Sequence, residues 1–337
     1  MKILITGISG FVGSHMADLL LQNKKNKVYG LKRYHLSKLD NIKHIYNKIH
    51  WVDCDITDPK SAKIALNNIR PDAIFHFAAE SFVSPSWNHP RRYMDVNYNG
   101  TVNLLEAMLE LNMKNVPFHI PGSGEEYGIA KIKELPLNEE SVLRPVNPYA
   151  VTKIAQDLIG YVYFKSYNLK VIRTRAFNHE GPRREKTFGI PWYAYQIARI
   201  ERGMQKPIIE TGHLGDKRNF THVSDMVRAY YLSIKKCKPG ELYLIGNNDP
   251  KSIFTFEQAL KKLIGMSHFK KKITIKKIKK YTRPTNVPYL IGDMKKFNRL
   301  TKWRPLISFD KILLDTLNYW RTKIDDEKNK NFFKGRD

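Results

Sequence analysis

Tyr149 and Lys153 are the residues of this chain best placed to do chemistry, because they lie four positions apart in a segment with helical apolar spacing. Residues at positions i and i+4 share one face of a helix. A free phenol has a pKa of about 10, and a neighbouring ammonium group or a positively charged nicotinamide ring would lower it. Tyr149 could then accept a hydroxyl proton as hydride leaves the same carbon. The pair predicts hydride chemistry on an alcohol or a ketone.

Ser123 is a second candidate catalytic residue. It follows a predicted strand at residues 118–120. A side chain at the carboxyl end of a strand in an open α/β sheet lies in the crevice where ligands bind. A tyrosine four residues before a lysine is by itself a common coincidence on helices. It becomes a strong signal only beside such a serine and a dinucleotide-binding segment.

The start of the chain supplies that segment. Lys2–Thr6 is an apolar strand, and a glycine-rich turn leads from it directly into a stretch with helical periodicity. In this context the glycines let the backbone approach a pyrophosphate, and the helix N-terminus supplies amide groups and the positive end of a dipole. The residues of the turn expected to bind a dinucleotide are Gly7, Gly10, Phe11, Val12 and Gly13.

The residues after the second predicted strand bear on which dinucleotide binds. An acidic residue about 20 positions past the glycines would bind the ribose 2′-hydroxyl of NAD. This chain has Lys32 and Arg33 at that point and no acid. Two cations suit the 2′-phosphate of NADP, so NADP is the expected cofactor and Arg33 its contact. The alternative is that Arg33 stacks on the adenine, which would also allow NAD.

Strands and helices alternate through the first half of the chain, which predicts an α/β fold with a Rossmann-type, doubly wound parallel sheet. We expect residues 1–177 to form the dinucleotide-binding domain, with residues 220–245 returning to it. Residues 178–337 are expected to form a smaller α/β substrate-binding lobe. Two of the predicted strands end at further cofactor-binding residues, which are Asp55, Ile56, Ala78 and Ala79.

Composition argues against several other classes of protein. There is no run of about 18 apolar residues, so no membrane span is expected, and two cysteines without a signal-peptide pattern favour the cytoplasm. Eleven histidines lack metal-ligand spacing, so no metal site is expected. The net charge of +26 could indicate nucleic-acid binding, but no recognition motif accompanies it. A basic surface would also steer an anionic substrate.

These motifs together resemble those of the extended short-chain dehydrogenase/reductase superfamily over nearly the whole chain. The resemblance implies that Ser123, Tyr149 and Lys153 form the catalytic triad. It also implies that Asn97 assists beside the cofactor. Members of the superfamily assemble through paired helices, so a homodimer or homotetramer is expected.

Segments of the second half narrow the resemblance to GDP-mannose 4,6-dehydratases. Residues 175–184 are similar to their Phe-Asn-His-Glu-x-Pro-Arg-Arg segment, residues 215–225 to an Asp-x-Lys-Arg-Asp segment, and residues 283–293 to an Arg-Pro-Thr-Glu-Val segment. The resemblance implies a GDP-sugar substrate and a dehydration across C5 and C6, with Glu125 as the acid–base carboxyl. Arginine suits such a substrate because it binds phosphate oxygens in a bidentate manner. The residues implied to bind the substrate are Ser81, Asn178, Arg184, Arg218 and Arg283.

The resemblance is mixed at three places. The Ser-Gly-Glu of residues 123–125 and the Gly-Phe-Val of residues 10–12 look more like GDP-6-deoxy-4-keto-mannose reductases. Those reductases, however, usually have Gly-Pro-Gly-Gln where residues 181–184 are Gly-Pro-Arg-Arg. The predicted function is therefore a dehydratase of GDP-mannose or a GDP-heptose. A 4-keto-sugar reductase and a C4 dehydrogenase or epimerase are the alternatives.

Overall fold

Strands and helices alternate along the chain in a layered α/β arrangement. The computed structural model describes the backbone of residues 1–334 and the side chains up to Glu327. The strands are β1 Lys2–Thr6, β2 Lys27–Lys32, β3 His50–Asp53, β4 Ala73–His76, β5 Phe118–Ser123, β6 Val171–Ala176, β7 His179–Glu180, β8 Ile208–Thr211, β9 Lys217–Asn219, β10 Thr221–His222, β11 Leu242–Ile245, β12 Ile253–Thr255, β13 Thr274–Lys277 and β14 Tyr289–Leu290. The helices are α1 Phe11–Leu21, α2 Pro59–Ile69, α3 Pro90–Met94, α4 Gly100–Glu110, α5 Pro148–Tyr167, α6 Gly189–Glu201, α7 Val223–Lys236, α8 Phe256–Gly265, α9 Lys295–Thr301 and α10 Phe309–Lys334. Within residues 1–334, none of the helices combines the length and the apolar character needed to span a bilayer.

The main sheet has seven strands in the order β11-β6-β5-β4-β1-β2-β3, and all neighbouring pairs are parallel. Its central strands are buried on both faces, as parallel strands between helices must be. The strand order reverses between β1 and β4, and ligands of such sheets bind outside the carboxyl ends of the strands at that point. The predicted Rossmann-type sheet is confirmed.

Helices cover both faces of the sheet. Ile3 and Ile5 of β1 pack with α1 and α7 on one face, whereas Leu4 packs with α2 and α4 on the other. This division follows from the strand geometry, because successive side chains point to opposite faces. The sheet therefore has an apolar core on each side, and only its strand ends are open to a ligand.

A smaller lobe lies beyond β6. It contains the three-stranded sheet β12-β9-β14, the pair β13-β8 and the helices α6, α8 and α10, which share one apolar core. Residues 223–245, by contrast, supply helix α7 and strand β11 to the main sheet. Phe297 of α9 and Trp303 also pack into the core of the main sheet. The lobe is therefore built from chain segments that lie before and after residues 223–245, which belong to the main domain.

Candidate active site

One cleft of about 1390 Å³ runs along the carboxyl ends of the main-sheet strands and between that sheet and the smaller lobe. It brings together residues from both halves of the chain. All the sequence-predicted site residues except Asn97 line it. These are Gly7, Gly10, Phe11, Val12, Gly13, Arg33, Asp55, Ile56, Ala78, Ala79, Ser81, Ser123, Glu125, Tyr149, Lys153, Asn178, Arg184, Arg218 and Arg283.

The turn between β1 and α1 is shaped for close approach of the backbone. Gly7 has a φ of +65°, and a Cβ on it would lie 2.6 Å from the backbone nitrogen of Ala78. Helix α1 begins after Gly10 with no capping side chain and no acidic residue in its first turn. The first amide groups of a helix lack intrahelical partners. They are therefore available to an anion such as a pyrophosphate.

Lys32 and Arg33 both line the cleft. The ammonium of Lys32 also forms an ion pair with Asp53 at 3.2 Å. Arg33 is exposed at the edge of the cleft, and Lys38, which the sequence did not single out, lines the cleft beside it. The carboxylate of Asp55 accepts hydrogen bonds from the backbone and hydroxyl of Thr57, at 3.0 and 2.8 Å.

Asn97, which was predicted as a cofactor contact, does not line the cleft. It belongs to a π-helical turn, Asp95–Asn99, between α3 and α4, and it is fully buried. Its amide oxygen accepts from the backbone nitrogen of Glu80 at 2.8 Å, and its amide nitrogen donates to the Glu80 carbonyl and the Thr152 hydroxyl. Asn97 therefore holds the loop after β4 against α5.

Helix α5 positions Tyr149 and Lys153, and its first residues also position Glu125. Asn147 caps the helix by accepting from the backbone nitrogen of Ala150 at 2.8 Å. The Asn147 amide nitrogen donates to a carboxylate oxygen of Glu125 at 3.1 Å. Asn147 was not predicted as a site residue. An asparagine directly before a proline at the start of a helical pattern is, however, a readable N-cap signal.

The environment of Tyr149 differs from the expectation that Lys153 lowers its pKa. Burial raises the pKa of Tyr149, and a hydrogen bond with Ser123 opposes this. The Lys153 ammonium donates to Gln156, one turn further along α5, and burial lowers the pKa of Lys153 to about 8. Desolvation is the largest influence on the pKa of Tyr149 in this arrangement.

Arginines of the smaller lobe form the opposite wall of the cleft. Arg184 lies over the rings of Phe188 and Phe11, at 4.0 and 5.2 Å, so it joins the lobe to the glycine turn. Arg218 is buried and lies 3.7 Å from a carboxylate oxygen of Asp216, which also lines the cleft and was not predicted. Burial lowers the pKa of Arg218, and the negative charge of Glu125 opposes this.

These contacts place proton-transfer groups beside a site for a dinucleotide and a site rich in arginine. Within residues 1–334, no group of three or more His, Cys, Asp or Glu side chains could hold a metal ion. A glycine turn at a strand switch point, with serine, tyrosine and lysine in the same cleft, defines a dinucleotide-dependent enzyme of the short-chain dehydrogenase/reductase type.

Comparison with known sequences identifies the family. The family model described as GDP-mannose 4,6 dehydratase matches residues 4–316. The GDP-mannose 4,6 dehydratase of Drosophila melanogaster is 31% identical over 340 residues, covering 93% of this chain and 84% of its own. A GDP-6-deoxy-D-mannose reductase of Pseudomonas aeruginosa is 26% identical over 328 residues, covering 97% and 99%. The chain belongs to the GDP-mannose 4,6 dehydratase family, and the predicted resemblance and class of enzyme are confirmed.

Solved structures show the same fold. The structure of RMD from Pseudomonas aeruginosa complexed with NADPH has a TM-score of 0.81 and 26% identity, and the match covers 96% of this chain and 99% of that one. A dTDP-glucose 4,6-dehydratase from Bacillus anthracis in complex with NAD has the same TM-score and identity, with 96% and 97% covered. These likenesses confirm the extended short-chain dehydrogenase/reductase fold for this chain.

Proposed function

We propose that the protein is an NADP-dependent 4,6-dehydratase of a GDP-sugar with the manno configuration, either GDP-mannose or a GDP-heptose. The observation that carries this is the position of Glu125. Its carboxyl lies in the same cleft as Ser123 and Tyr149, is held by Asn147, and is close enough to Arg218 to stabilise its charge. The names of the matching family and of the Drosophila relative support this reading.

The residues of the cleft fit a bound dinucleotide. The free amides at the start of α1 would hold its pyrophosphate. Arg33 would face the 2′-phosphate, and Asp55 and Ile56 would border the adenine. Lys153, near the nicotinamide end, would hold the adjoining ribose. NAD remains the alternative cofactor, with Arg33 stacked on the adenine.

The reaction consists of an oxidation, a loss of water and a reduction. A bound NADP⁺ would supply the acceptor for hydride from C4 of the sugar and, once reduced, the donor of hydride to C6. Tyr149 takes the proton of the C4 hydroxyl, and Ser123 hydrogen-bonds with Tyr149 during this transfer. Glu125 removes the C5 proton, which the C4 ketone has made acidic, and donates a proton to the hydroxyl that leaves C6. As hydride adds to C6, a proton is delivered to C5, and loss of the proton held by Tyr149 restores its starting state. The net change is loss of one water with no net oxidation.

The test is incubation of the purified protein with GDP-mannose and with GDP-manno-heptose, without added oxidant or reductant, while product mass is followed. Loss of one water supports the dehydratase. Loss of two hydrogens with reduction of bound cofactor would mean a C4 dehydrogenase. Absence of any reaction favours the reductase, because a GDP-6-deoxy-D-mannose reductase matches nearly the whole chain, and a 4-keto sugar with NADPH would then be assayed.

Replacing Arg33 by alanine is expected to weaken NADP binding about 10- to 100-fold and to leave NAD binding nearly unchanged. The reason is that a hydrogen bond to a charged group contributes about 1.5–3 kcal/mol, and only NADP carries the 2′-phosphate. Isothermal titration of both dinucleotides measures the effect. Arg91→Ala, at an exposed arginine outside the cleft lining, is the matched control. Equal losses for NADP and NAD would show that Arg33 stacks on the adenine instead.

We also propose that two copies pair through α5. Val151, Leu158 and Val162 are exposed apolar residues of this helix. Leu158 and Val162 lie 7 and 11 positions after Val151, which places all three on one face of the helix.

Leu158→Arg is expected to convert the dimer to a monomer, because it would bury an unpaired charge in the interface. Light scattering after gel filtration measures the mass. Leu306→Arg, at another exposed leucine, is the control, and an unchanged mass for Leu158→Arg would exclude this interface.

The cysteines fit the proposed cytoplasmic location. Cys54 and Cys237 are both buried and free. Burial raises the pKa of each thiol, and protonated, inaccessible thiols are unreactive. Free thiols are usual in a reducing compartment.

A further inference from the structure

We infer that Glu126 is a positioning residue: from outside the cleft it holds the backbone of Ser123 and presents a negative charge to Lys153. The inference rests on the proposed function, because Ser123 and Lys153 are the groups through which Glu126 would act. Glu126 is fully buried and does not line the cleft, so it does not touch a ligand.

Glu126 is bound directly to the backbone of Ser123. One carboxylate oxygen accepts from the Ser123 backbone nitrogen at 2.6 Å, while the Ser123 hydroxyl accepts from the backbone nitrogen of Glu125 at 3.2 Å. This reciprocal capping fixes the turn that follows β5. A Cβ on Gly122 would lie 2.5 Å from the same Glu126 oxygen. The glycine therefore makes room for the carboxylate.

The second Glu126 oxygen belongs to a buried charge cluster, which we define as Glu126, Asp157, Arg173 and Arg175. It lies 2.6 Å from Nε of Arg175, whose Nη2 lies 2.6 Å from Asp157. Arg173 completes the cluster with a 3.0 Å contact to Asp157. Both arginines come from β6 and Asp157 comes from α5. The charge cluster thus joins the three elements that carry Ser123, Arg175 and the Tyr149–Lys153 pair.

The charge balance of this region explains why Glu126 acts on Lys153. Burial, followed by the charge of Asp157, raises the pKa of Glu126, while Arg175 and Lys153 oppose this. When Glu126 is ionised, the two carboxylates and two guanidinium groups of the charge cluster balance, so buried Lys153 adds one positive charge. Burial lowers the pKa of Lys153, and Glu126, followed by Asp157, opposes this. His76 and His119 also face Lys153, but their own pKa values are lowered to about 3 by burial, so they stay neutral. Glu126 is the main carboxylate that keeps Lys153 charged.

The same charge acts on Tyr149. Burial raises the pKa of Tyr149, Ser123 opposes this, and the charges of Glu125 and Glu126 add to the increase, while Arg184 opposes it. A negative charge favours the protonated form of any nearby group. Removing the Glu126 charge should therefore lower the pKa of both Tyr149 and Lys153.

The experiment compares Glu126→Gln with the double variant Glu126→Gln/Arg175→Met. Glutamine keeps an oxygen for the Ser123 amide but removes the charge. The single variant leaves Arg175 partly unpaired, so some loss of thermal stability is expected. The double variant removes that unpaired charge, and its melting temperature is expected to recover. Activity is measured as a pH profile of kcat and KM.

We expect both limbs of the kcat profile to move to lower pH, by about one pH unit, in the single variant. The shift should be smaller in the double variant, because loss of the Arg175 charge partly offsets loss of the Glu126 charge. KM should be nearly unchanged, because Glu126 does not line the cleft. Glu134→Gln, which breaks a partly buried ion pair with Arg144 away from the charge cluster, is the control and should leave both limbs in place. Limbs that stay in place in the single variant would reduce Glu126 to a structural role.

Failure of the proposed function is distinguishable from failure of this inference. Wild-type protein without turnover on either GDP-sugar or on a 4-keto sugar would contradict the proposed function. The ionisation of Tyr149 would then be followed by ultraviolet difference spectroscopy of the NADP-bound protein, with Tyr149→Phe as the blank. A lower pKa of Tyr149 in Glu126→Gln than in the wild type supports the inference, and an equal pKa overturns it.

Discussion

Replacing Tyr149 by phenylalanine is expected to slow turnover about 10²–10⁴-fold, the usual contribution of a positioned acid–base group. Phenylalanine fills the same buried space beside Tyr93, so only the hydroxyl is lost. The variant therefore lacks the phenolic oxygen that would take the proton of the C4 hydroxyl as hydride leaves. The rate of product formation from the GDP-sugar measures the effect, and NADP binding should be retained.

Tyr167→Phe is the matched control, since Tyr167 lies exposed at the end of the same helix and outside the cleft lining. It should leave the rate unchanged. A rate for Tyr149→Phe within a few-fold of the wild type would contradict the assignment. The buried lysine would then be the next candidate for the proton transfer, since the pKa of Lys153 is lowered to about 8.

Replacing Glu125 by glutamine is expected to stop the reaction after the first hydride transfer. Tyr149 and Ser123 can still support oxidation at C4, but no carboxylate remains to remove the C5 proton, so release of dehydrated product should fall about 10²–10⁴-fold. Reduced cofactor should therefore accumulate on the protein. Its absorbance during a single turnover, together with product mass, measures the effect. Glutamine keeps an acceptor for the Asn147 amide, so the turn should be preserved.

Glu140→Gln, at an exposed glutamate outside the cleft, should leave both signals unchanged. Wild-type release of dehydrated product by Glu125→Gln would assign the C5 proton transfer to another group. Glu180 would then be the candidate, because it is a buried carboxyl that lines the cleft and burial raises its pKa to about 7. Absence of reduced cofactor in the variant would instead place Glu125 in the first step.

The adjacent glutamates 125 and 126 show how a short turn separates two functions. They lie in a 3₁₀ turn, Gly124–Tyr127. Three residues per turn direct neighbouring side chains about 120° apart. One carboxyl therefore enters the cleft, where Asn147 holds it, and the other enters the interior, where Arg175 pairs with it. A dehydratase needs an accessible carboxyl and a fixed serine, and this turn supplies both.

Local patterns in the sequence were sufficient to predict the fold and to select residues that the structure brings into one cleft. Apolar strands, the glycine turn and the helical spacing of Tyr149 and Lys153 depend on neighbouring residues, so they can be read from the chain alone. The carboxyl ends of parallel strands meet at one edge of a sheet. Residues following β1, β2, β3, β4 and β5 were therefore expected to share one cleft, and they do.

What only the tertiary structure decided is how charges and polar groups are buried. The pairing of Lys32 with Asp53, the enclosure of Asn97 and the hydrogen bond from Lys153 to Gln156 each depend on the final packing. Arg173 and Arg175 of β6 are buried, but the sequence around them does not show which groups neutralise their charges. Their partners Glu126 and Asp157 lie in other elements and are distant in the chain. Desolvation and the partner that offsets it exist only after folding, so the sequence determined which groups are present and the packing determined their ionisation.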